Sequence, residues 1–262
     1  SSDYEVSDVY YVARNELAPN VSTTPSPQNI NSIIGRFPVD NIAEAKIMIN
    51  RTIEYEKAQN DIDYNYINNH LIWQAFLKSS GNSFTDGDKM DHVYNKVNTL
   101  PMNNWFLLDA FNLNNSVQYN GITYSFSRTN NNISTGGELS AQSVLDALSV
   151  GHDSWGMFHF IYHLDHSHQY GMGTSQLLKN QYISNVDVEK LNCTKGYSQV
   201  ILSLGCHPAD FRTDCIAHSF LTSPNCNAVA FMGNTDLGWQ GEYKMADAFY
   251  DRMYNHNLKQ DW

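Results

Sequence analysis

The chain has 262 residues, enough for one large α/β domain with a substantial core, and 42% hydrophobic with 13% aromatic content is the composition of a folded globular protein. Sixteen basic against 27 acidic side chains leave a formal charge of −11, which repels nucleic-acid phosphates and anionic membranes and favours basic or neutral partners, so no partner with a polyanionic backbone is indicated. No run approaches the roughly 20 apolar residues of a membrane-spanning helix, and no secretory signal opens the sequence.

Residues 1–30, with Pro19, Pro25 and Pro27 among Asn, Ser and Thr, read as a strand followed by a long irregular loop. Ile33-Ile-Gly-Arg-Phe-Pro-Val-Asp40 reads as a short strand running into a turn. Asp40 or Asn41 then caps a helix whose apolar positions Ile42, Ala45, Ile49 and Ile53 recur at helical spacing through Tyr55. Leu71–Leu77 is a predicted strand, Ser79–Asp88 the loop after it, Asp91–Leu100 a helix and Trp105–Leu108 a short strand.

A polar, Asn-rich insertion covers residues 112–137, with a hairpin over Tyr119–Phe126. Beyond it come a helix at Ser143–Ser149, a strand at Met157–Leu164, a short helix at Val186–Leu191 and a strand at Gln199–Leu204. A helix at Thr213–Leu221, a strand at Ala228–Met232 and a final helix at Lys244–Tyr254 complete the chain. Strands alternating with helices predict a three-layer α/β/α fold on a mainly parallel sheet, with ligands beyond the carboxyl ends of the strands. The division expected is an irregular segment 1–32 and one domain over 33–262. There is no internal repeat and no phosphate-cradling glycine loop, which argues against nucleotide chemistry.

The opening Ser1-Ser-Asp-Tyr-Glu looks like an internal cut, and the Asn-, Ser- and Tyr-rich composition with few Lys and Arg points to an exported, secreted or cell-surface protein. The four cysteines, Cys193, Cys206, Cys215 and Cys226, contain no C-x-x-C pair, against a zinc ribbon or thioredoxin-type motif. A Cys215–Cys226 bridge in an oxidising compartment stays open.

Chemistry concentrates in two apolar runs that each end in a reactive side chain: Phe158-His-Phe-Ile-Tyr-His-Leu-Asp-His-Ser167 and Val200-Ile-Leu-Ser-Leu-Gly-Cys-His-Pro-Ala-Asp-Phe211. An open α/β sheet presents such residues at the carboxyl ends of neighbouring strands. A thiol at a strand-to-helix turn, near backbone N–H groups and the start of the helix expected from Thr213, is placed to act as thiolate. A histidine from the adjacent strand would take its proton and return it to a leaving amine. The competing reading of Cys206 alone is an ordinary buried thiol.

The stretch Ser203-Leu-Gly-Cys-His-Pro-Ala-Asp-Phe-Arg-Thr-Asp-Cys-Ile-Ala-His-Ser-Phe-Leu221, followed by Ala228-Val-Ala-Phe-Met-Gly-Asn-Thr-Asp-Leu-Gly-Trp239, resembles the nucleophile region of gingipain-family cysteine peptidases. Ile34-Gly-Arg-Phe-Pro-Val-Asp-Asn and Ile53-Glu-Tyr-Glu-Lys57 resemble the stretch before that family's catalytic subdomain. The resemblance implies a caspase/gingipain-like fold and a thiol endopeptidase working through a thioester. Protein or peptide substrates and an upstream subdomain or pro-segment are the implied partners. The chemistry requires no cofactor, and a structural calcium is left open.

In that family the histidine sits in Gly-His-Gly or Gly-His-Ser at a strand end. Gly151-His152 keeps the pair but directly follows a helix, whereas Asp165-His166-Ser167 follows the strand 157–164, so His166 is the general acid and base. Asp165 then stands where the family has glycine. Its N–H, with that of Cys206, would form the oxyanion hole, while its carboxylate would oppose the developing negative charge or raise the His166 pKa. This departure sustains the alternative of a catalytically inactive protein on the same scaffold, binding peptide or another surface ligand in the cleft or at the 112–137 insertion.

Asn82 aligns with the residue that orients the histidine. Asp86, Asp88 and Asp91 lie where arginine-specific members keep an acidic specificity floor, of which Asp88 is the chosen candidate, with a solvated helix start as the competing reading. Trp239 resembles the aromatic wall of the same pocket, with core packing as its competitor. His163, His166 and His168 invite a zinc reading, but residues 163 and 166 face opposite sides of a strand, so no metal site is assigned. His159 reads as an ordinary strand residue.

Overall fold

The computed structural model describes residues 35–58, 64–77, 79–81, 83–84, 97, 102–113, 116–125, 135–175, 181–238 and 243–254. Helix α1 is Ile42–Ala58. Asn41 caps it, its Oδ1 accepting from the N–H groups of Ala43 and Glu44, while Glu44 accepts in return from the N–H of Asp40. A 3₁₀ turn at Tyr64–Asn68 leads into β1, Asn69–Gln74, buried along its whole length. Two short strands follow, β2 at Ser79–Ser80 and β3 at Ser83–Phe84. After β4, Asn103–Leu108, comes the hairpin of β5, Ser116–Tyr119, and β6, Ile122–Ser125. Its turn is Asn120-Gly121 with φ of 50° and 77°, the left-handed pair that a two-residue hairpin demands.

The rest of the chain is β7 Gly136–Glu138, α2 Ala141–Val150, β8 Phe160–Leu164, β9 Ser167–His168, β10 Gly171–Ser175 and β11 Gln181–Ser184. Then come α3 Asn185–Glu189, β12 Gln199–Ser203, α4 Ile216–Thr222, β13 Ala228–Gly233 and α5 Tyr243–Tyr254. Six strands form one sheet in the order β13-β12-β8-β1-β4-β7, and every neighbouring pair is parallel.

Side-chain alternation divides the core in two. Leu71, Trp73, Ile161 and Ile201 pack on one face with Met48 of α1, Val144 and Leu148 of α2, and Ile216 and Phe220 of α4. Ile72, Phe160, Tyr162 and Leu202 pack on the other with Ala246 and Tyr250 of α5. This is the expected three-layer α/β/α arrangement, built from strands that are apolar toward both faces.

Three expectations change. Among residues 33–40, the described 35–39 form no strand, because Pro38 cannot donate to a ladder and the segment enters α1 directly. The insertion ends earlier than 137, since Gly136-Gly-Glu138 joins the main sheet beside β4. A Cβ at Gly136 would meet the Phe106 carbonyl oxygen at 2.2 Å, so this edge needs a residue that does not look like a strand former. Finally, β9, β10 and β11 make a small antiparallel sheet directly after His166. The segment 1–34 lies outside the described residues, as does the helix expected at 91–100 apart from Val97, which is helical and buried.

Candidate active site

Strands β8 and β12 run side by side with His163 opposite Ser203, and the Leu204 N–H donates to the His163 carbonyl at 3.0 Å. Each chain then continues three residues past that pair, to His166 on one and Cys206 on the other. The loops touch: a Cβ on Gly205 would lie 2.1 Å from Ser167 Oγ and 2.9 Å from the Asp165 carbonyl oxygen. Ser167 Oγ also donates to the Cys206 carbonyl at 2.6 Å, joining the histidine loop to the cysteine loop.

Cys206 sits at a partly exposed turn, and His207 after it has φ of 58°. That left-handed conformation is unfavourable for a non-glycine residue and is held by the His207 N–H on the Asp236 carbonyl, 2.8 Å, with His207 Nε2 3.7 Å from Asp236 Oδ1. The Gly238 N–H points at Cys206 Sγ at 3.3 Å, the polarity a thiolate nucleophile wants. The expected contribution from the following helix is absent. Helix α4 starts only at Ile216, and its first two N–H groups are taken by the carbonyls of Gln169 and Pro208.

His166 is exposed, and its Nε2 lies 2.9 Å from the carbonyl oxygen of Leu77, just past the end of β1. A carbonyl only accepts, so Nε2 carries the hydrogen and Nδ1 keeps the lone pair a general base requires. Asn82, expected to orient this ring, lies outside the described residues, and the partner seen is the Leu77 main chain. Asp88 and Trp239, with Asp86 and Asp91, also lie outside the described residues.

Asp165 turns inward. It is 4% exposed, Oδ1 accepts from the His166 N–H at 2.6 Å, and Oδ2 occupies space that Gly173 leaves open, 2.5 Å from where a Cβ would be. Burial, and then the charge of Asp109, hold its carboxyl well above the usual carboxylate range. The carboxyl expected to oppose oxyanion stabilisation is thus buried beside Gly173, where its charged form is disfavoured. Among the described residues no acceptor takes the N–H of Asp165 or that of Cys206.

The other histidines are elsewhere. His152 lies before β8, its ring between Trp105 and Trp155 at 4.5 and 4.2 Å, and Asn69 at the start of β1 donates to the Trp155 carbonyl. That is the amino end of the sheet, opposite Cys206. His163 is fully buried, its Nδ1 2.8 Å from Ser203 Oγ and its ring edge-on to Trp73; burial pushes it down to about 3. His159 is likewise a core residue, near Tyr55 Oη at 3.2 Å, and exposed His168 accepts from the Tyr170 N–H. Among the described residues the ligand atoms of Asp40, Asp214 and His218 lie within 4.8 Å of one another, with Glu44 3.3 Å from the imidazole. One of these three ligand atoms is an imidazole nitrogen, which does not match the all-oxygen shell of a structural calcium.

Sequence reasoning missed Ser167, the Leu77 carbonyl and the Gly238 N–H. The last two are backbone groups with no residue signature.

A sequence model described as peptidase family C25 matches residues 2–261. A solved protease structure superposes on 91% of this chain with a TM-score of 0.51 and 14% identity, and the match takes in 42% of its own chain, so the present chain spans less than half of that length. At this identity the likeness is one of fold. No curated protein matches the sequence.

Proposed function

We propose, from the premise that this chain belongs to peptidase family C25, that it is a cysteine-type endopeptidase domain in which Cys206 attacks the scissile carbonyl and His166 moves the protons. The observation that carries the reading is the pairing of β8 with β12, which sets both side chains beyond the carboxyl end of the sheet, with the imidazole held through Nε2 on the Leu77 carbonyl. His166 Nδ1 takes the Cys206 thiol proton as the sulfur bonds to carbon. The carbonyl oxygen gathers negative charge, received by the N–H groups of Cys206 and Asp165. Collapse returns the proton to the leaving amine and leaves a thioester. Water, deprotonated by the same ring, then releases the acid and restores the thiol.

The reading extends to an exported protein acting on protein or peptide substrates, with an upstream subdomain or pro-segment as partner. Asp88 and Trp239 are the specificity-pocket candidates, and an acidic floor would favour a basic residue before the cut. No helix among the described residues is long and apolar enough to cross a membrane. The alternative, a catalytically inactive homologue, rests on a charged Asp165 in the oxyanion pocket; the inward turn of that side chain supports the active reading.

Treatment with a peptidyl acyloxymethyl ketone, followed by peptide mapping, tests the proposal. Adduct on Cys206 is expected in the native protein, with none in Cys206→Ala and labelling at least about 100-fold slower in His166→Ala. Folded protein that stays unlabelled, or proteolysis that survives Cys206→Ala, would sink it.

A further inference from the structure

Outside the active site, two buried cysteines are brought together in the core. Cys193 follows α3 and Cys226 precedes β13, and both are nearly fully buried. The Cys193 N–H donates to the carbonyl of Asn225, the residue before Cys226, at 3.1 Å, and Asn227 Nδ2 donates to the Thr194 carbonyl. With standard bond lengths on either side, the bond from the Cys193 N–H to the Asn225 carbonyl keeps the Cα atoms of Cys193 and Cys226 within roughly 7 Å of each other. A disulfide spans a Cα separation of about 4.4–6.8 Å, so the two backbones are close enough to be bridged. Cys193 Sγ lies 3.3 Å from the Leu148 carbonyl, and both cysteines belong to the same buried core cluster.

Cys215, the partner suggested for Cys226 by sequence, is excluded by geometry. It stands at the N-terminal cap of α4 among Ala209 and Ala217, with the seven residues of the helix between it and the turn that holds Cys226. Those residues span about 10 Å.

We propose that Cys193 and Cys226 form a disulfide when the chain folds in an oxidising compartment, closing a covalent loop around β12, Cys206 and α4. The oxidant is a low-molecular-weight disulfide, RSSR. The Cys226 thiolate attacks one sulfur of RSSR, making a mixed disulfide and releasing RS⁻. Cys193 then attacks the Cys226 sulfur, forming the protein disulfide and releasing the second RS⁻. Two protein thiols are oxidised, one RSSR is reduced, and the two thiol protons pass to the two departing thiolates.

Arg51 of α1 lies over the pair, donating to the carbonyls of Leu221, Phe220, Ala228 and Ser223, and its charge acts on both sulfurs. In the finished fold the neighbouring Cys193 thiol, then the Ala228 N–H and Arg51, hold the Cys226 thiol below its ordinary value despite burial, while Cys193 is held above. Because both sulfurs are enclosed in the finished fold, exchange belongs to the folding chain, before α1 and β13 close over them.

The test refolds the full chain from denaturant in a buffer of oxidised and reduced glutathione, and in parallel in dithiothreitol. Both samples are alkylated under denaturing conditions and digested without reduction. The expected result is a Cys193–Cys226 linked peptide in the glutathione sample only, split by later reduction, together with a melting temperature several degrees above the dithiothreitol sample. Four alkylated thiols after glutathione refolding would overturn the proposal, as would a link through Cys206 or Cys215, or a linked protein that melts no higher than the reduced one. All of these are read on the unsubstituted protein and so do not depend on a variant's folding. Cys193→Ala supplies the control, in which no linked peptide containing Cys226 forms.

Discussion

Gly205→Ala is the sharpest probe of how the two loops are held. The added methyl would lie 2.1 Å from Ser167 Oγ, 2.7 Å from Ser167 Cβ and 2.9 Å from the Asp165 carbonyl oxygen. Rotating the serine would relieve the first contact at the expense of its bond to the Cys206 carbonyl, but the Cβ and the carbonyl are fixed to backbone. The loops must therefore part by roughly 0.5–1 Å, a displacement that costs on the order of 10²-fold in rate at an aligned site. Overpacking of this kind costs about 1–3 kcal/mol of stability. Ser167→Gly removes two of the three contacts, so the double variant should recover part of both losses, with a coupling of about 0.5–3 kcal/mol in a double-mutant cycle. The assay is the second-order rate of Cys206 labelling by the peptidyl electrophile, alongside the urea midpoint. A Gly205→Ala protein that labels within about twofold of the parent and unfolds at the same urea concentration would refute the claim that these loops are in contact.

Asp165→Asn should stabilise the protein increasingly as pH rises. A carboxyl whose folded pKa is raised contributes stability in full below its ordinary value of 3.8 and loses it as pH climbs toward the folded value, at up to about 1.4 kcal/mol per unit. Urea unfolding at about pH 5, 6 and 7 should show the two proteins diverging, and parallel curves would contradict a buried neutral carboxyl. The buried histidines act in the opposite sense. His70 and His163 are pushed down to about 3 and His159 to about 4 by burial, so each folds neutral and its stabilising effect is lost as pH falls below the ordinary value of 6.5. By linkage the loss is roughly 2 kcal/mol per ring at pH 5, about 6 for the three, comparable with the whole stability of a domain. Circular dichroism should show cooperative acid unfolding near pH 4–5, and His163→Gln should move the midpoint to lower pH.

The layers of the fold were legible because strands buried on both faces must be apolar along their length, as Leu71-Ile-Trp73 and Phe160-Ile-Tyr162 are. The hairpin was legible because Asn120-Gly121 supplies two left-handed residues in sequence. The antiparallel β9–β11 sheet was not. Its Gly171-Met-Gly-Thr-Ser175 strand owes its glycines to what lies against it, since a Cβ at Gly173 would collide with Asp165 and the His166 carbonyl. The Cys215–Cys226 bridge stayed open in the sequence for a similar reason, because closeness in sequence carries no information about the two ends of an intervening helix.

By itself the sequence determined the layer order and the polarity of β8 and β12, and through polarity it separated His166 from His152. Strand direction follows from the alternation of strands and helices, a local and periodic signal. Only the tertiary structure decided that the Asp165 carboxyl is buried with its charged form disfavoured, that the Leu77 carbonyl holds the imidazole, and that Cys193 lies beside the turn carrying Cys226. Each of these depends on a backbone atom or an empty volume contributed by a distant segment. A side chain's charge state and partner are set by what surrounds it in space, and no spacing along the chain encodes that.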